Sequence, residues 1–139
     1  MPAKPPTVVD LRWTGDLRFS ASFPATRTPP VVLDSAGVAG PTPVSALAAS
    51  LAACMAMDLV HILTAGRHQL NGVLAHLEGD RAQSPPHRFL RIRLHFVVEG
   101  LVPARAIERA IALSRDKYCS VWHSLRPDVD FQVTLEQHA

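Results

Sequence analysis

The sequence predicts an α+β domain in which one long apolar helix follows three short strands and precedes a second group of strands. Three observations support this class. Residues 40–66 form one mostly apolar stretch with helix start and stop signals, residues 88–99 alternate between apolar and polar side chains, and a turn signal at residues 14–16 separates two β-type runs. The predicted order is three strands, a helix, two strands, a second helix and a last strand.

The part of the chain before the long helix is predicted to form a small sheet. Residues 1–6 are rich in proline and are expected to be a flexible tail. Residues 7–13 and 17–23 flank the turn signal and predict a hairpin, and residues 31–33 predict a third short strand. Residues 34–41 contain glycine and small side chains and are predicted to be a loop.

The long helix has both of its ends marked in the sequence. Thr42 is a suitable N-cap, Pro43 suits the first helical position, and Gly66 is expected to take the left-handed conformation that ends the helix. Between residues 44 and 57 only two side chains, both serines, are polar. A helix that is apolar nearly all round is typical of a core or of a subunit interface.

A membrane-spanning segment is the alternative interpretation of this helix. Such a segment needs about 20 uninterrupted apolar residues. Asp58 and His61 interrupt the run before that length is reached. We therefore expect a soluble protein with no membrane partner.

The second half of the chain is predicted to add two strands, a helix and a last strand. Residues 72–78 alternate weakly, and residues 80–87 are expected to be an exposed connection. The strand at residues 88–99 is expected to cover a core with one face only. The apolar residues of that face are Leu90, Ile92, Leu94, Phe96 and Val98.

A second helix is predicted to begin at Pro103, to include Cys119 and to continue, with a bend, to Leu125. Pro127 is expected to stop it, and residues 129–136 alternate as a final strand. Cys54 and Cys119 therefore each fall on a predicted helix.

Length and composition exclude several classes of protein. A chain of 139 residues with 47% hydrophobic side chains is long enough for a single domain, residues 1–139, and too short for two. The net charge of +2 is small and the basic residues are scattered, which excludes a nucleic-acid surface. Two cysteines and no apolar signal segment at the start favour a cytoplasmic chain with reduced thiols.

Metal and cofactor sites are not indicated. The seven histidines have no spacing of the zinc-ligand type, and no glycine-rich phosphate loop is present. Seven positions along a helix correspond to a rise of about 10 Å. His61 is therefore too far from Cys54 to act on it as a base, and we interpret Asp58 and His61 as structural or interface residues.

The two cysteines lie 65 positions apart, and composition alone favours the interpretation that both are small buried apolar residues. A redox pair is the alternative, and it requires the two side chains to meet. The residues themselves leave both interpretations open.

The motifs around the cysteines resemble those of the OsmC/Ohr family of thiol-dependent peroxidases. These motifs are G-P-T-P-x-x-x-L-x-A-S-L-A-A-C-x-A-M-D-L-V at 40–60 and R-A-I-A-L-S-R-D-K-Y-C-S-V at 109–121. The resemblance implies an OsmC-like fold, with antiparallel sheets wrapped around two central helices. It also implies an intertwined homodimer with its active sites at the interface.

The resemblance further implies a reaction and its participants. Cys54 matches the peroxidatic cysteine, which attacks an organic hydroperoxide and becomes a sulfenic acid, and Cys119 matches the resolving cysteine, which converts it to a disulfide. A dithiol reductant of lipoyl or thioredoxin type then reopens that disulfide, and the role would be defence against oxidative stress. Apolar side chains near Cys54 are expected to favour organic peroxides over hydrogen peroxide. They are Leu51, Met55, Met57 and Trp122.

One departure from the family pattern bears on activity. Peroxidases of the family carry a glutamate nine or ten residues before the reactive cysteine, which holds an arginine near the thiolate, whereas this chain has Val44 and Ser45 there. Arg18 is the candidate arginine by position, and a solvated hairpin arginine is the alternative. Without that glutamate Arg18 is expected to be less well fixed. The alternative function is therefore an OsmC-like binding or stress-associated protein with weak or no peroxidase activity.

Overall fold

The computed structural model describes residues 3–139, and the predicted order of strands and helices is confirmed. The elements are β1 (Asp10–Gly15), β2 (Arg18–Ser22), β3 (Val31–Asp34), α1 (Pro43–Ala65), β4 (Gln69–Arg81), β5 (Phe89–Leu101), α2 (Ala104–Leu113), α3 (Ser120–His123) and β6 (Asp130–His138). A π-helical turn, Ser114–Tyr118, lies between α2 and α3. The chain divides into two compact units, Met1–Leu47 and Ala48–Ala139, which are described in turn.

The first unit contains a three-stranded antiparallel sheet in the order β1-β2-β3. The predicted hairpin is confirmed, although β1 begins at Asp10 and the turn lies one residue later than expected. Asp16 takes a left-handed φ of 47°, and the Trp13 indole donates to the Asp16 carbonyl oxygen over 2.8 Å. Trp13 is paired with Phe19, which is paired with Leu33, so these three side chains share one apolar face.

Helix α1 begins as predicted and ends one residue later than predicted. The Ser45 amide donates to Thr42 Oγ1 over 3.2 Å, so Thr42 is the N-cap and Pro43 the first helical residue. Arg67, not Gly66, takes the left-handed conformation, with a φ of 62°. The His68 amide donates to the Leu63 carbonyl oxygen over 3.1 Å, which is the bond that closes a Schellman motif. Gly66 instead leaves room for His68, whose ring would lie 3.1 Å from an added Cβ.

The second unit contains a three-stranded sheet in the order β4-β5-β6. β4 and β5 are antiparallel, but β6 runs parallel to β5, so the expectation of wholly antiparallel sheets is wrong for this pair. The physical reason is the connection, because the segment containing α2 and α3 is long enough to return the chain to the starting end of β5.

The core of the second unit lies between α1, α2 and the inner face of β5. The predicted inner residues of β5 are buried except Leu90, which is 44% exposed and has no partner in β4 at the register shift between Asp80 and Arg81. On α1 every fourth residue from Leu51 to Leu63 is buried. The buried side chains are Leu51, Met55, Leu59 and Leu63 from α1, Ile92, Leu94, Phe96 and Val98 from β5, and Ile107 and Ala110 from α2.

The remaining surface of α1 is apolar and open within a single chain. Met57 is 69% exposed and Val60 is 39% exposed. With a mean hydropathy of 1.9, α1 is long and apolar enough by composition to cross a membrane, a test that core helices of soluble proteins also pass. The side of α1 that carries Leu59 packs in the core, so one chain covers this helix on one side only.

Candidate functional site

Cys54 lies near the middle of α1, one residue before the buried Met55. Its side chain is partly buried and packs against the core of the second unit. Cys54 is more exposed than Leu51 and Met55, its buried neighbours on the helix. Cys54 therefore lies between the core and the surface of the second unit.

Cys119 lies at a break in the chain, not within a continuous helix. α2 ends at Leu113, the π-helical turn follows, and Cys119 adopts an extended conformation with φ −73° and ψ 99°. The predicted single helix through Leu125 is therefore wrong. The Cys119 amide donates to the Ser114 carbonyl oxygen over 2.8 Å, the five-residue spacing of a π-helix.

The sulfur atom of Cys119 caps the short helix α3. The Trp122 amide donates to Cys119 Sγ over 3.4 Å. Cys119 is fully buried, and its neighbours include Trp122, whose ring packs on Phe131 with the ring centres 4.4 Å apart. The thiol is thus fixed in orientation and shielded from solvent.

The structure brings Cys54 and Cys119 together. Cys54 lies near enough to Cys119 for its thiol to affect the pKa of Cys119, and both are free thiols. Burial, followed by this interaction with Cys54, raises the pKa of Cys119 to about 11 against the opposing effect of the Trp122 amide. Cys119 therefore remains a protonated thiol at neutral pH.

A hydrogen bond between α1 and the π-helical turn lies close to this pair. Ser114 Oγ donates to Asp58 Oδ2 over 2.7 Å, and Ser114 is 1% exposed. The structural role interpreted for Asp58 agrees with this contact. Ser114 was not predicted as a site residue. The signal that could have identified it is a serine at an apolar position of the helical pattern.

His61 lies on the exposed side of α1. It lines an open apolar hollow of about 580 Å³ together with Ala53, Met57 and Val60. It also borders a second hollow that includes Asp58 and Tyr118. His61 is therefore a surface residue of α1 in a single chain.

Arg18 lies on β2 in the first unit and is paired with a carboxylate. Its Nε donates to Asp34 Oδ2 over 3.1 Å. The Arg18 side chain is 39% exposed while that of Asp34 is 3% exposed. Arg18 is thus not a freely solvated hairpin arginine.

Asp34 is held by the loop that follows β3. Its carboxylate accepts hydrogen bonds from the backbone amides of Ala36, Val38 and Ala39 at 3.0, 3.3 and 2.9 Å. The amides of Ala39 and Ala36, then Arg18, lower the pKa of Asp34 to about 2 although burial opposes them. Sequence reasoning placed Asp34 in a loop and missed this role, although an aspartate before small residues is typical of such turns.

The start of α1 offers no carboxylate, in agreement with the sequence. The amide of Ser45 is used in the N-cap, and Val44 is partly buried. Across residues 3–139 no group of three or more His, Cys, Asp or Glu side chains is arranged to hold a metal ion.

Comparison with known proteins identifies relatives over most of the chain. The family model for OsmC-like protein matches residues 34–134, which contain both cysteines. Protein YhfA of Escherichia coli K12 is 35% identical over 103 residues, or 73% of this chain and 77% of YhfA. The match to the family model begins at Asp34, so Arg18 lies outside it.

Solved structures show the same fold. A hypothetical protein from Aquifex aeolicus VF5 superposes with a TM-score of 0.87 and 25% identity, covering 96% of this chain and 97% of that one. An organic hydroperoxide resistance protein OsmC from Legionella pneumophila superposes with a TM-score of 0.69 and 19% identity, covering 97% and 99%. Together with the family match, these findings show that the chain belongs to the OsmC-like protein family.

Proposed function

We propose that this protein is a thiol-dependent peroxidase that reduces organic hydroperoxides, with Cys54 as the peroxidatic and Cys119 as the resolving cysteine. The observation that carries the proposal is the meeting of the only two cysteines in the chain, one partly accessible and one fully buried. Two neighbouring thiols are the minimum requirement for a two-electron reduction that ends in a disulfide.

The reaction is balanced by these two thiols and one external dithiol. The Cys54 thiolate attacks the O–O bond of the hydroperoxide, forming a Cys54 sulfenic acid and releasing the alcohol after protonation. The Cys119 sulfur then attacks the sulfenic sulfur, and the hydroxyl group leaves as water with the Cys119 thiol proton. A dithiol of lipoyl or thioredoxin type reduces the resulting disulfide and is itself oxidised to a disulfide.

The different environments of the two sulfur atoms support this division of roles. A thiolate is the nucleophile in the first step, and Cys119, with a pKa of about 11 and no exposed surface, is a poor one. For the second step, Cys119 needs only to lie close to the sulfenic acid that has formed on Cys54. Its retained proton is useful in the second step because the leaving hydroxyl group requires one.

The surroundings of Cys54 favour an organic peroxide. The neighbouring residues Leu51 and Met55 are apolar, and Cys54 itself packs against the apolar core of the second unit. An alkyl or aryl hydroperoxide gains from leaving water for such a surface, whereas hydrogen peroxide does not. The Legionella pneumophila relative is named for organic hydroperoxide resistance, which agrees with this substrate class.

The proposal includes a homodimer. Within the second unit the open side of α1 exposes Met57 and Val60, and within the first unit the sheet exposes 60% of Leu11 and 66% of Trp13. Large exposed apolar patches are typical of association surfaces. We infer that a second copy of the chain covers them in a single-domain, cytoplasmic dimer.

Arg18 is proposed to stabilise the Cys54 thiolate in this dimer. Its support is the fixed Arg18–Asp34 pair, which supplies an oriented guanidinium despite the absence of a carboxylate at Val44 and Ser45. The same absence favours the second candidate function, an OsmC-like binding or stress-associated protein with little peroxidase activity. Activity measurements separate the two.

The test is consumption of cumene hydroperoxide by the reduced protein with dihydrolipoamide as the dithiol. The wild type is expected to turn over, and Cys54→Ser is expected to show no rate above that of buffer. Cys119→Ser is expected to consume one equivalent and then to slow, because the sulfenic acid is no longer resolved within the chain. A wild-type rate equal to that of Cys54→Ser would reject the peroxidase and favour the binding protein.

A further inference from the structure

The Asp58–Ser114 hydrogen bond links the segments that carry the two cysteines. Asp58 follows Cys54 by four residues, one helical turn along α1, and accepts from Ser114 Oγ over 2.7 Å. Ser114 is 1% exposed, and its carbonyl oxygen accepts the Cys119 amide over 2.8 Å. One buried serine therefore contacts α1 through its side chain and Cys119 through its backbone.

We propose that Asp58 and Ser114 are positioning residues that hold Cys119 against Cys54 and so favour formation of the disulfide between them. The inference rests on the proposed pairing of the two cysteines as a redox couple. Neither residue is proposed to react with the substrate or with a sulfur atom. Their proposed role is to set the relative position of the two thiols that form the disulfide.

The chain needs such a tether because Cys119 is not placed by a helix. The π-helical turn and the extended conformation at Cys119 separate it from the regular geometry of α2. A disulfide requires Cα atoms about 4.4–6.8 Å apart and a narrow range of torsions, so a shift of about 1 Å weakens or strains the bond. The Asp58 contact fixes the start of this turn relative to α1.

The Asp58–Ser114 hydrogen bond is suited to holding the two segments together because its acceptor is a carboxylate and its donor is buried. A hydroxyl group that donates to a carboxylate forms a charge-assisted bond, which is stronger than a bond between neutral groups. The bond raises the effective concentration of one thiol at the other, because ordering the two thiols beforehand reduces the entropy lost when the disulfide forms. Loss of the tether is expected to favour the dithiol.

The experiment equilibrates the full-length protein in glutathione buffers of varied composition. The exchange converts the dithiol protein and one oxidised glutathione into the disulfide protein and two reduced glutathione molecules. Alkylation of the remaining thiols followed by mass spectrometry gives the fraction of each form. Ser114→Ala and Asp58→Ala are each expected to lower the equilibrium constant about tenfold, or about 30 mV in reduction potential.

Three further variants separate positioning from general destabilisation. The double variant is expected to resemble each single variant, because both substitutions remove the same bond. Asp58→Asn retains an acceptor oxygen and is expected to fall between wild type and Asp58→Ala, with the smallest risk to folding. Ser124→Ala is the matched control, since Ser124 Oγ donates to the Ser120 carbonyl oxygen on the far side of Cys119.

A kinetic readout completes the test. After one equivalent of cumene hydroperoxide, Ser114→Ala is expected to accumulate more sulfenic acid that dimedone traps than the wild type does. Unchanged equilibrium constants and trapping, together with a lower melting temperature, would overturn the inference and leave a structural role. A wild type that forms no internal disulfide with oxidised glutathione would overturn the redox pair itself, whereas disulfide formation without peroxide turnover would reject the peroxidase alone.

Discussion

Arg18 on β2 and Asp34 on β3 form an ion pair, with Arg18 Nε 3.1 Å from Asp34 Oδ2. The carboxylate is buried, and the arginine side chain is partly exposed. This ion pair bears on the absence of the family's glutamate before Cys54. The sequence predicts a poorly fixed arginine because Val44 and Ser45 carry no carboxylate, but Asp34 supplies one from the neighbouring strand. The backbone amides of Ala36, Val38 and Ala39 fix that carboxylate in turn.

The first prediction concerns the acid stability that Asp34 confers. Its pKa is about 2 in the folded protein and 3.8 as an ordinary value, so the unfolded chain takes up the proton first as the pH falls. The contribution to the free energy of unfolding is therefore complete above the ordinary pKa and is lost as the pH falls toward 2. Asp34→Asn is expected to melt several degrees below wild type at pH 6, with the difference shrinking toward pH 2.

Circular dichroism melts from pH 6 to pH 2 test this, with Asp10→Asn as the control because Asp10 is an exposed aspartate at the start of β1. The control is expected to follow the wild type at every pH. A difference between Asp34→Asn and wild type that stays constant over the whole range would contradict the assignment.

The second prediction concerns the reactivity of the two thiols. At pH 8 iodoacetamide is expected to modify Cys54 well before Cys119, because a thiol with a pKa of about 11 is ionised to about one part in a thousand. Burial of Cys119 adds to the difference. Peptide mass spectrometry over time measures both rates, and equal rates for the two cysteines would show that the second thiol is accessible.

The third prediction compares two neighbouring residues of α1. Leu59 is 1% exposed in the core, and Leu59→Ala is expected to lower the free energy of unfolding by about 2–5 kcal/mol through the cavity it leaves. Val60 is 39% exposed, and Val60→Ala is expected to cost less than about 1 kcal/mol when dissociated chains are compared. Urea unfolding at low protein concentration measures both, and equal losses would argue against this orientation of α1.

The fourth prediction concerns association through the open side of α1. Met57 is 69% exposed within one chain, and a charge at this position would be buried if a second copy covers it. Met57→Glu is expected to shift the protein from dimer toward monomer in light scattering coupled to size-exclusion chromatography. Gln83→Glu makes the same charge change in the exposed connection between β4 and β5 and is expected to remain dimeric. A wild-type monomer, or a dimeric Met57→Glu, would contradict this surface.

The features that sequence patterns predicted well are those that local rules control. Thr42 and Pro43 specify the start of α1, and alternation specifies the inner face of β5 from Ile92 to Val98, because capping and strand periodicity depend on neighbouring residues. Leu90 departs from the pattern at the register shift between β4 and β5.

The features that the sequence did not predict depend on distant contacts. The parallel direction of β6 follows from the path of its connection, which alternation along the strand does not encode. The turn that begins at Ser114 contacts Asp58, 56 positions earlier in the chain, and Asp34 contacts Arg18, 16 positions earlier. A pattern that marks a buried or turn-forming residue does not reveal its partner.

The central claim is that Cys54 and Cys119 form one redox couple, and peptide mapping after oxidation tests it most directly. Reduced protein is treated with one equivalent of cumene hydroperoxide, the remaining thiols are alkylated, and the digest is analysed without reduction. The account predicts a single peptide pair joined by a Cys54–Cys119 disulfide within one chain, absent from Cys54→Ser. Two alkylated cysteines, or a Cys54 that stays oxidised while Cys119 remains free, would contradict it.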